Sequence, residues 1–358
     1  MDKKLVNLGY NDKYFEEASF YEGLFPGRVV SQYKDLYRIA TGKIEVTAEV
    51  AGKLRYTTTT SADFPAVGDF VVIDREDNRS GNAIIHHILP RKSVFERKTP
   101  GTGRGVQIIA ANIDTVFICM ALNSDYNLRR LERYLSIAWA SGALPVVVLT
   151  KADLCEDIEI RLAEVSAVAA GADILVTTSL TEEGYQPIRT YIATGKTVAF
   201  IGSSGVGKST LINRLIGEDL IVTKTTREDG KGRHTTTRRE LFVLPSGGAV
   251  IDTPGMRELG VESADLAKTF ADIERLAGSC RFSDCAHSGE PHCAVRKAVE
   301  EGELTEKRLA SYKKLKKEAR YEGLKAKQIE REKINEMFSA VGGMKNARDF
   351  IKNKNKRP

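Results

Sequence analysis

No run of about 18 consecutive apolar residues occurs anywhere in the chain, which excludes a membrane-spanning helix of ordinary length. The opening segment MDKKLVNLGYNDKYFEE lacks the apolar stretch and small-residue cleavage site of a secretory signal, so a cytoplasmic protein is expected. Cysteine is scarce and odd in number: Cys119 and Cys155 stand alone among five, while Cys280, Cys285 and Cys293 fall within fourteen positions. In a reducing compartment such a cluster reads as metal ligation before disulfide. Internal repeats are absent as well. Compositional extremes are missing too: 42% hydrophobic and 28% charged residues sit near soluble-protein averages and exclude global disorder.

What is present exceeds one core. Single hydrophobic cores rarely grow past roughly 250–300 residues, so the 358-residue chain is expected to form two or three domains. The net charge of +6 is unevenly spread. From Thr305 to Pro358 there are 17 Lys/Arg against 7 Asp/Glu, and the remainder carries 37 against 41. The positive field is therefore C-terminal, suited either to a solvated helix with a frayed tail or to binding a polyanion.

After a polar leader, the segments GRVVSQ, LYRIAT, IEVTAEV, DFVVIDR and AIIHHILP are short, β-branched and partly alternating, with turn signals between them. Five such strands in about 70 residues fit an OB-like all-β barrel, although a sandwich or SH3-like barrel has a similar strand count. The Gly-rich stretch RKTPGTGRG, Arg97 to Gly105, reads as a linker. Beyond it, DTVFICMAL, PVVVLT, ADILVTTS and KTVAFIG alternate with helical stretches, the pattern of a parallel sheet covered on both faces. The expected order is a leader (1–25), a barrel (26–100), an α/β phosphate-loop domain (101–274), a metal-binding helical domain (275–340) and a basic tail (341–358).

GSSGVGKST fits the phosphate-loop pattern and lies between a strand and a helix. Its members are Gly202, Ser203, Ser204, Gly205, Val206, Gly207, Lys208, Ser209 and Thr210. The glycines let successive N–H groups face phosphates at a helix N-terminus, Lys208 neutralises the terminal phosphates, and Ser209 is a Mg²⁺ ligand. DTPG closes the strand GAVI 43 residues after Ser209, so Asp252 is placed on the Mg²⁺ shell and the N–H of Gly255 on the γ-phosphate. The element Thr150, Lys151, Ala152, Asp153 resembles the NKxD sequence that reads guanine. Asp153 can accept from both the ring N–H and the exocyclic amine of guanine, a donor pair adenine lacks. Thr178 and Ser179 end the next strand, where a backbone N–H to the guanine oxygen is expected.

The order of these elements is the informative feature. In ordinary small GTPases the phosphate loop comes first, whereas here the guanine reader precedes it by more than fifty residues. Strand-end loops still converge after such a circular permutation. Residues Thr223 to Glu240 show no apolar periodicity and read as a switch loop ordered by the γ-phosphate. One threonine of Thr235, Thr236 and Thr237, taken as Thr236, completes the Mg²⁺ shell. Met256 stands where many GTPases carry a water-orienting Gln, so slow intrinsic turnover is expected, and His234 is the candidate to orient the attacking water.

Cys280-x4-Cys285-x-His287-x5-Cys293 offers three thiolates and an imidazole, enough for a closed tetrahedral structural Zn²⁺ site, with His292 a rival to His287. Taken with QIIAANIDTVF, GSSGVGKSTLIN, GRHTTT and DTPGMRE, this arrangement resembles the bacterial ribosome small subunit-dependent GTPase A family over roughly Pro26 to Tyr321. The resemblance implies an OB-fold barrel and zinc domain that grip small-subunit ribosomal RNA, GTP hydrolysis to GDP and phosphate stimulated by that subunit, and a role in its late maturation. It also implies zinc on Cys280, Cys285, His287 and Cys293, GTP on 150–153 and 202–210, and support of hydrolysis by His234. A monomer with no membrane partner is expected. The alternative is an RNA-binding assembly factor in which nucleotide turnover is incidental.

Overall fold

The computed structural model describes residues 2–58, 60–79, 81–98, 106–217, 239–245, 247–252 and 265–321. The segment expected to be a polar leader is folded. Helix α1 (Lys3–Asn7) is capped by the Asp2 carboxylate, which accepts from the Lys4 N–H at 2.8 Å, and α2 (Asp12–Ser19) by the Asn11 side chain. Leu5, Leu8, Tyr10 and Tyr14 are buried in the same cluster as Val30, Phe70 and Ile109.

The five alternating segments each become a strand: β1 (Phe25–Tyr33), β2 (Leu36–Ala40), β3 (Glu45–Val50), then helix α3 (Gly52–Thr57), β4 (Phe70–Ile73) and β5 (Ala83–Ile88). They pair in the order β1-β2-β3-β5-β4, and β4 returns to β1 to close the barrel. The β3–β5 pairing is parallel and the others antiparallel, a Greek-key closure that selects the OB-like barrel over an up-and-down one. Val29, Ile39, Val46, Val71, Ile73 and Ile85 fill the interior. Burying each such side chain is worth about 1.5–3 kcal/mol, which is what drives the closure.

Strands β6 (Val94–Lys98) and β7 (Val106–Ala111) pair antiparallel, from Val94↔Ala111 to Lys98↔Val106. The stretch read as a linker thus begins inside a strand, and the boundary expected between 100 and 101 falls within a strand pair; 99–105 lie outside the described residues.

A second unit follows: β8 (Thr115–Ala121), α4 (Leu128–Ser141), β9 (Leu144–Thr150), α5 (Ile158–Val168), β10 (Asp173–Val176), α6 (Gln186–Arg189), β11 (Thr197–Gly202), α7 (Lys208–Ile216), β12 (Arg239–Val243) and β13 (Ala249–Asp252). The strand order is β10-β9-β8-β11-β13-β12, parallel except for β12. Period-two alternation divides the cores. Val116, Ile118, Val147 and Leu149 pack with Leu131, Leu135 and Val165 of α4 and α5, whereas Phe117, Cys119, Val146 and Val148 pack with Ile188, Leu211 and Leu215 of α6 and α7.

Two features tie this sheet to the barrel. Strand β12 pairs with β1, at Ser31↔Glu240 and Gln32↔Arg239. Arg28, 1% exposed, donates to the carbonyls of Leu8, Gly68 (3.2 Å) and Asn112 (3.3 Å) and lies 4.8 Å from the centre of the Phe70 ring. One guanidinium therefore joins the N-terminal segment, the barrel and the start of the second unit.

The C-terminal unit is helical, with α8 (Leu266–Thr269), α9 (Ala271–Ala277), α10 (Ala294–Glu300) and α11 (Glu306–Tyr321) around Phe270, Ile273, Val295, Ala298, Leu309, Tyr312 and Leu315. The charged helix that opens the basic C-terminal stretch is thus half core, because Leu309, Tyr312 and Leu315 share its buried side. The expected tail, 341–358, lies outside the described residues.

Candidate nucleotide site and metal centre

Parallel strands put all their carboxyl ends at one edge of the sheet. Thr150 ends β9, Gly202 ends β11, Asp252 ends β13, and Thr177 and Thr178 follow β10. The permuted elements therefore reach one edge in spite of their order along the chain.

Contacts, beyond topology, join the guanine reader to the phosphate loop. Thr150 Oγ1 donates to the Val206 carbonyl at 2.6 Å, and Lys151 Nζ donates to the Gly205 carbonyl at 2.8 Å. Thr150 takes the first position of the reader, where Asn is usual, and its hydroxyl reaches the loop that lies 56 residues later. Lys151 holds a left-handed backbone, φ 58°, that turns the chain so that Asp153 follows on the same edge. The Asp153 carboxylate accepts from Thr178 Oγ1 at 2.6 Å, which fixes its rotamer. The Thr178 N–H is itself committed to the Gly184 carbonyl at 3.1 Å, while the Thr178 side chain holds Asp153.

The phosphate loop is wound around Lys208, whose ammonium donates to the carbonyls of Gly202 (2.8 Å) and Ser203 (2.6 Å). Gly202, at φ +145°, lies so close to β8 that a Cβ there would come within 2.4 Å of the Cys119 carbonyl oxygen. Gly207 caps α7 at φ +108°, a left-handed conformation in which a side chain would be strained. Ser209 and Thr210 occupy the first turn of α7, the end at which its unpaired N–H groups and partial positive charge gather. Ser204 sits at the exposed crest of the loop. Asp252 is half-buried at the end of β13, one strand from β11. His234, Thr235, Thr236, Thr237, Gly255 and Met256 lie outside the described residues.

One residue at this edge had no motif to mark it. Asp125, in the loop after β8, accepts from Ser203 Oγ of the phosphate loop and pairs with Arg130 at 2.8 Å. Its only local signal is the turn sequence Asn123-Ser124-Asp125, in which the Asn123 side chain accepts from the Asp125 N–H at 3.0 Å.

The second cluster belongs to the C-terminal unit. The ligand atoms of Cys280, Cys285, His287 and Cys293 lie within 4.8 Å of one another. Cys280 Sγ is 3.9 Å from Cys293 Sγ, and His287 Nδ1 is 3.7 Å and 3.5 Å from those two sulfurs. A tetrahedron with Zn–S bonds of about 2.3 Å has edges near 3.8 Å, so the spacing fits one Zn²⁺ ion. His292 is exposed and outside the cluster, which leaves His287 as the nitrogen donor. The backbone of His287 is left-handed, φ 55°, and its carbonyl accepts from Lys313 Nζ of α11 at 2.7 Å. The turn around it is closed by Glu290, whose carboxylate accepts from the N–H groups of Ala286, Ser288 and Gly289; its own backbone N–H first, and then these, hold its pKa down at about 2.

Comparison with known proteins agrees with this geometry. A model of the RsgA GTPase family matches residues 88–262. The chain is 49% identical over 346 residues to the small ribosomal subunit biogenesis GTPase RsgA 2 of Lactiplantibacillus plantarum, covering 96% of this chain and 97% of that protein. It is 43% identical over 332 residues to the small ribosomal subunit biogenesis GTPase RsgA of Opitutus terrae, covering 88% and 90% of the two chains. Among solved structures, YjeQ from Thermotoga maritima matches with a TM-score of 0.60 and 26% identity over 83% of this chain and 98% of that one. YloQ, described as a circularly permuted GTPase, matches with a TM-score of 0.58 and 26% identity over 84% and 96%.

Proposed function

Because the chain belongs to the RsgA GTPase family, we propose that it hydrolyses GTP to GDP and phosphate on the small ribosomal subunit and acts late in that subunit's maturation. The observation that carries this reading is the pair of hydrogen bonds from Thr150 and Lys151 to Val206 and Gly205. Through them a guanine reader and a phosphate loop in reversed order form one site.

In that site Asp153, held by Thr178, accepts two hydrogen bonds from guanine, and the Ser179 N–H donates to its exocyclic carbonyl oxygen. The Lys151 stem and the neighbouring Ala152 backbone border the base. Lys208 and the N–H groups from Gly202 to Thr210 face the phosphates, with the Gly255 N–H on the γ-phosphate. Ser209, Asp252 and Thr236 supply hard oxygen donors suited to Mg²⁺, which when bound neutralises charge that builds up on the phosphates. His234 orients the water whose oxygen bonds to the γ-phosphorus as the β–γ bridging bond breaks and GDP leaves. With Met256 in place of a water-orienting amide, turnover away from the ribosome is slow.

Cys280, Cys285, His287 and Cys293 would hold one Zn²⁺ ion. Four protein ligands leave no open position, so its role is to fold the C-terminal unit. The OB-like barrel and the zinc unit contact small-subunit ribosomal RNA. The protein works as a monomer in the cytoplasm, where ribosomal subunits mature; among the described residues no helix is long and apolar enough to cross a membrane. The reading in which turnover is incidental is not favoured, because the loop, the reader and the strand-end carboxylate are all held at one edge.

GTP turnover titrated separately with purified small and large subunits tests the proposal. Small subunits should raise turnover by orders of magnitude, on the scale of about 10³–10⁵-fold known for supplied catalytic groups, and large subunits should not. His234→Ala should lower the stimulated rate with little change in GTP affinity. Equal stimulation by both subunits, or by neither, would remove the ribosomal assignment.

A further inference from the structure

The segment that leads into helix α4 touches the phosphate loop, and α4 itself carries the zinc unit. Its N-terminal approach meets the loop: Asp125 accepts from Ser203 Oγ, and Arg130, on the first turn of α4, pairs with Asp125. One face further along carries the C-terminal unit. Glu132, 1% exposed, accepts from Arg308 Nη1 at 3.0 Å and from Ser311 Oγ. Arg133 donates to Glu318 at 2.5 Å, the Ser136 carbonyl accepts from the Asp265 N–H at 2.9 Å, and Lys268 Nζ lies 3.7 Å from the Trp139 ring centre.

Positions 132, 136 and 139 recur at helical spacing, so these contacts form one stripe. Arg308 extends the stripe into the zinc unit, donating to Asp272 at 2.6 and 2.8 Å and to the Thr269 carbonyl at 3.0 Å, over the Phe270 ring. Arg130 and Glu132 share the opening turns of α4, roughly 3 Å apart along its axis at about 1.5 Å per helical residue, and Asp125 joins them through its ion pair with Arg130.

We propose that Asp125 is a positioning residue for GTP hydrolysis, through which α4 transmits the seating of the zinc unit to the phosphate loop. Displacement of the zinc unit by a bound RNA moves the Glu132 face of α4, and the Arg130–Asp125–Ser203 chain carries that movement to the first turn of the loop. Ser203 is suited to receive it, because its neighbour Gly202 is pinned against Cys119 and its own carbonyl accepts from Lys208. The inference rests on the proposed GTP site, but one of its two readouts needs no ribosome.

The test uses the zinc-loaded full chain and measures release of a fluorescent GDP analogue, then kcat and KM with small subunits. Asp125→Ala should speed release about tenfold, and Asp125→Asn, which still accepts from Ser203, should return it to within about threefold. The clamp variant Ser311→Ala with Glu318→Ala keeps Arg308 and the zinc ligands. It should speed release several-fold in the parent chain but add nothing to Asp125→Ala, since both act on one chain of contacts. With small subunits the same variants should lower kcat while KM moves little. GDP release at the parent rate in Asp125→Ala, or clamp and Asp125 effects that multiply independently, would overturn the proposal. Unaltered coupling in the release assay in a chain that small subunits fail to stimulate would uphold it and sink the ribosomal reading instead.

Discussion

The barrel and the zinc unit both rest on the nucleotide-binding unit, the first on its sheet and the second on helix α4, and they are attached by different chemistry. On the barrel side, β1 continues the sheet through β12, and Arg28 is satisfied by three main-chain carbonyls. On the zinc side, side chains meet side chains for the most part, centred on the buried Glu132–Arg308 pair, which Arg308 extends to the half-exposed Asp272. A backbone ladder fixes register residue by residue, whereas a buried ion-pair network contributes little net stability and chiefly specifies one orientation. The two attachments therefore divide the work, one setting a permanent geometry and the other a seating that can be altered at small cost.

Removing the metal should separate the two sides most sharply. Chelation or Cys293→Ser should unfold the zinc unit, because structural zinc contributes on the order of 10–16 kcal/mol in finger-sized peptides. The sheet and barrel have their own cores, so GTP affinity should fall by no more than a few-fold; circular dichroism and nucleotide titration on the same sample check this. Loss of GTP binding along with the helices would show that the units are not independent.

Next in size is Arg28→Ala. It strips the buried Leu8 and Asn112 carbonyls of their donor, while Gly68 keeps the Asn112 amide, at about 1–3 kcal/mol each and should lower the melting temperature of the whole barrel and sheet in one transition. Arg308→Ala leaves Glu132 to Ser311 and Arg129 and Asp272 to solvent, and should cost a smaller amount of about 1–3 kcal/mol, felt in the zinc unit alone as faster proteolysis between 265 and 321. Replacing the pair together, Arg308→Met with Glu132→Leu, should recover most of that stability while leaving the coupling to Asp125 impaired. A single shared transition in both arginine variants would erase the distinction.

The smallest effect is expected from the C-terminal charge. Because α11 is part of the zinc unit's core, a truncation that spares it must begin after Tyr321, where ten Lys/Arg remain. Stability should not change, but the log–log salt slope of small-subunit binding should flatten by roughly 0.7–0.9 for each RNA phosphate that the shortened chain no longer neutralises. An unchanged slope would assign the positive field to solubility only.

Much of the molecule could be read directly from the chain. The barrel strands were legible because a half-buried strand alternates, and β8, β9 and β11 because a strand covered on both faces is apolar throughout. The gathering of the phosphate loop and the TKAD element at one edge, and of Cys280, Cys285, His287 and Cys293 in one cluster, was legible because the chemistry proposed for them demands particular residues at particular spacings. Helices α1 and α2 were not, being five and eight residues long, too short for periodicity to stand out against a polar background. The β6–β7 pair hid behind the glycines and proline of RKTPGTGRG, which signal a turn without saying what it connects. Glu132 looked like an ordinary charged residue on an amphipathic helix, paired locally with Arg129; its hydrogen-bond partners Arg308 and Ser311 lie 176 and 179 residues away, and no local pattern encodes such a pairing.

If a guanine reader placed before the phosphate loop completes the same nucleotide site, the nucleotide choice of Asp153→Asn must show it, and that measurement is the most direct one. An amide at this position donates where the carboxylate accepted, and xanthine carries a carbonyl where guanine carries an amine. Two charge-assisted bonds of about 1.5–3 kcal/mol each are at stake. The variant should therefore lose GTP affinity by about a hundredfold or more and gain affinity for xanthosine triphosphate. A variant that still binds GTP as the parent does, with no preference for xanthosine triphosphate, would place guanine elsewhere and contradict the account.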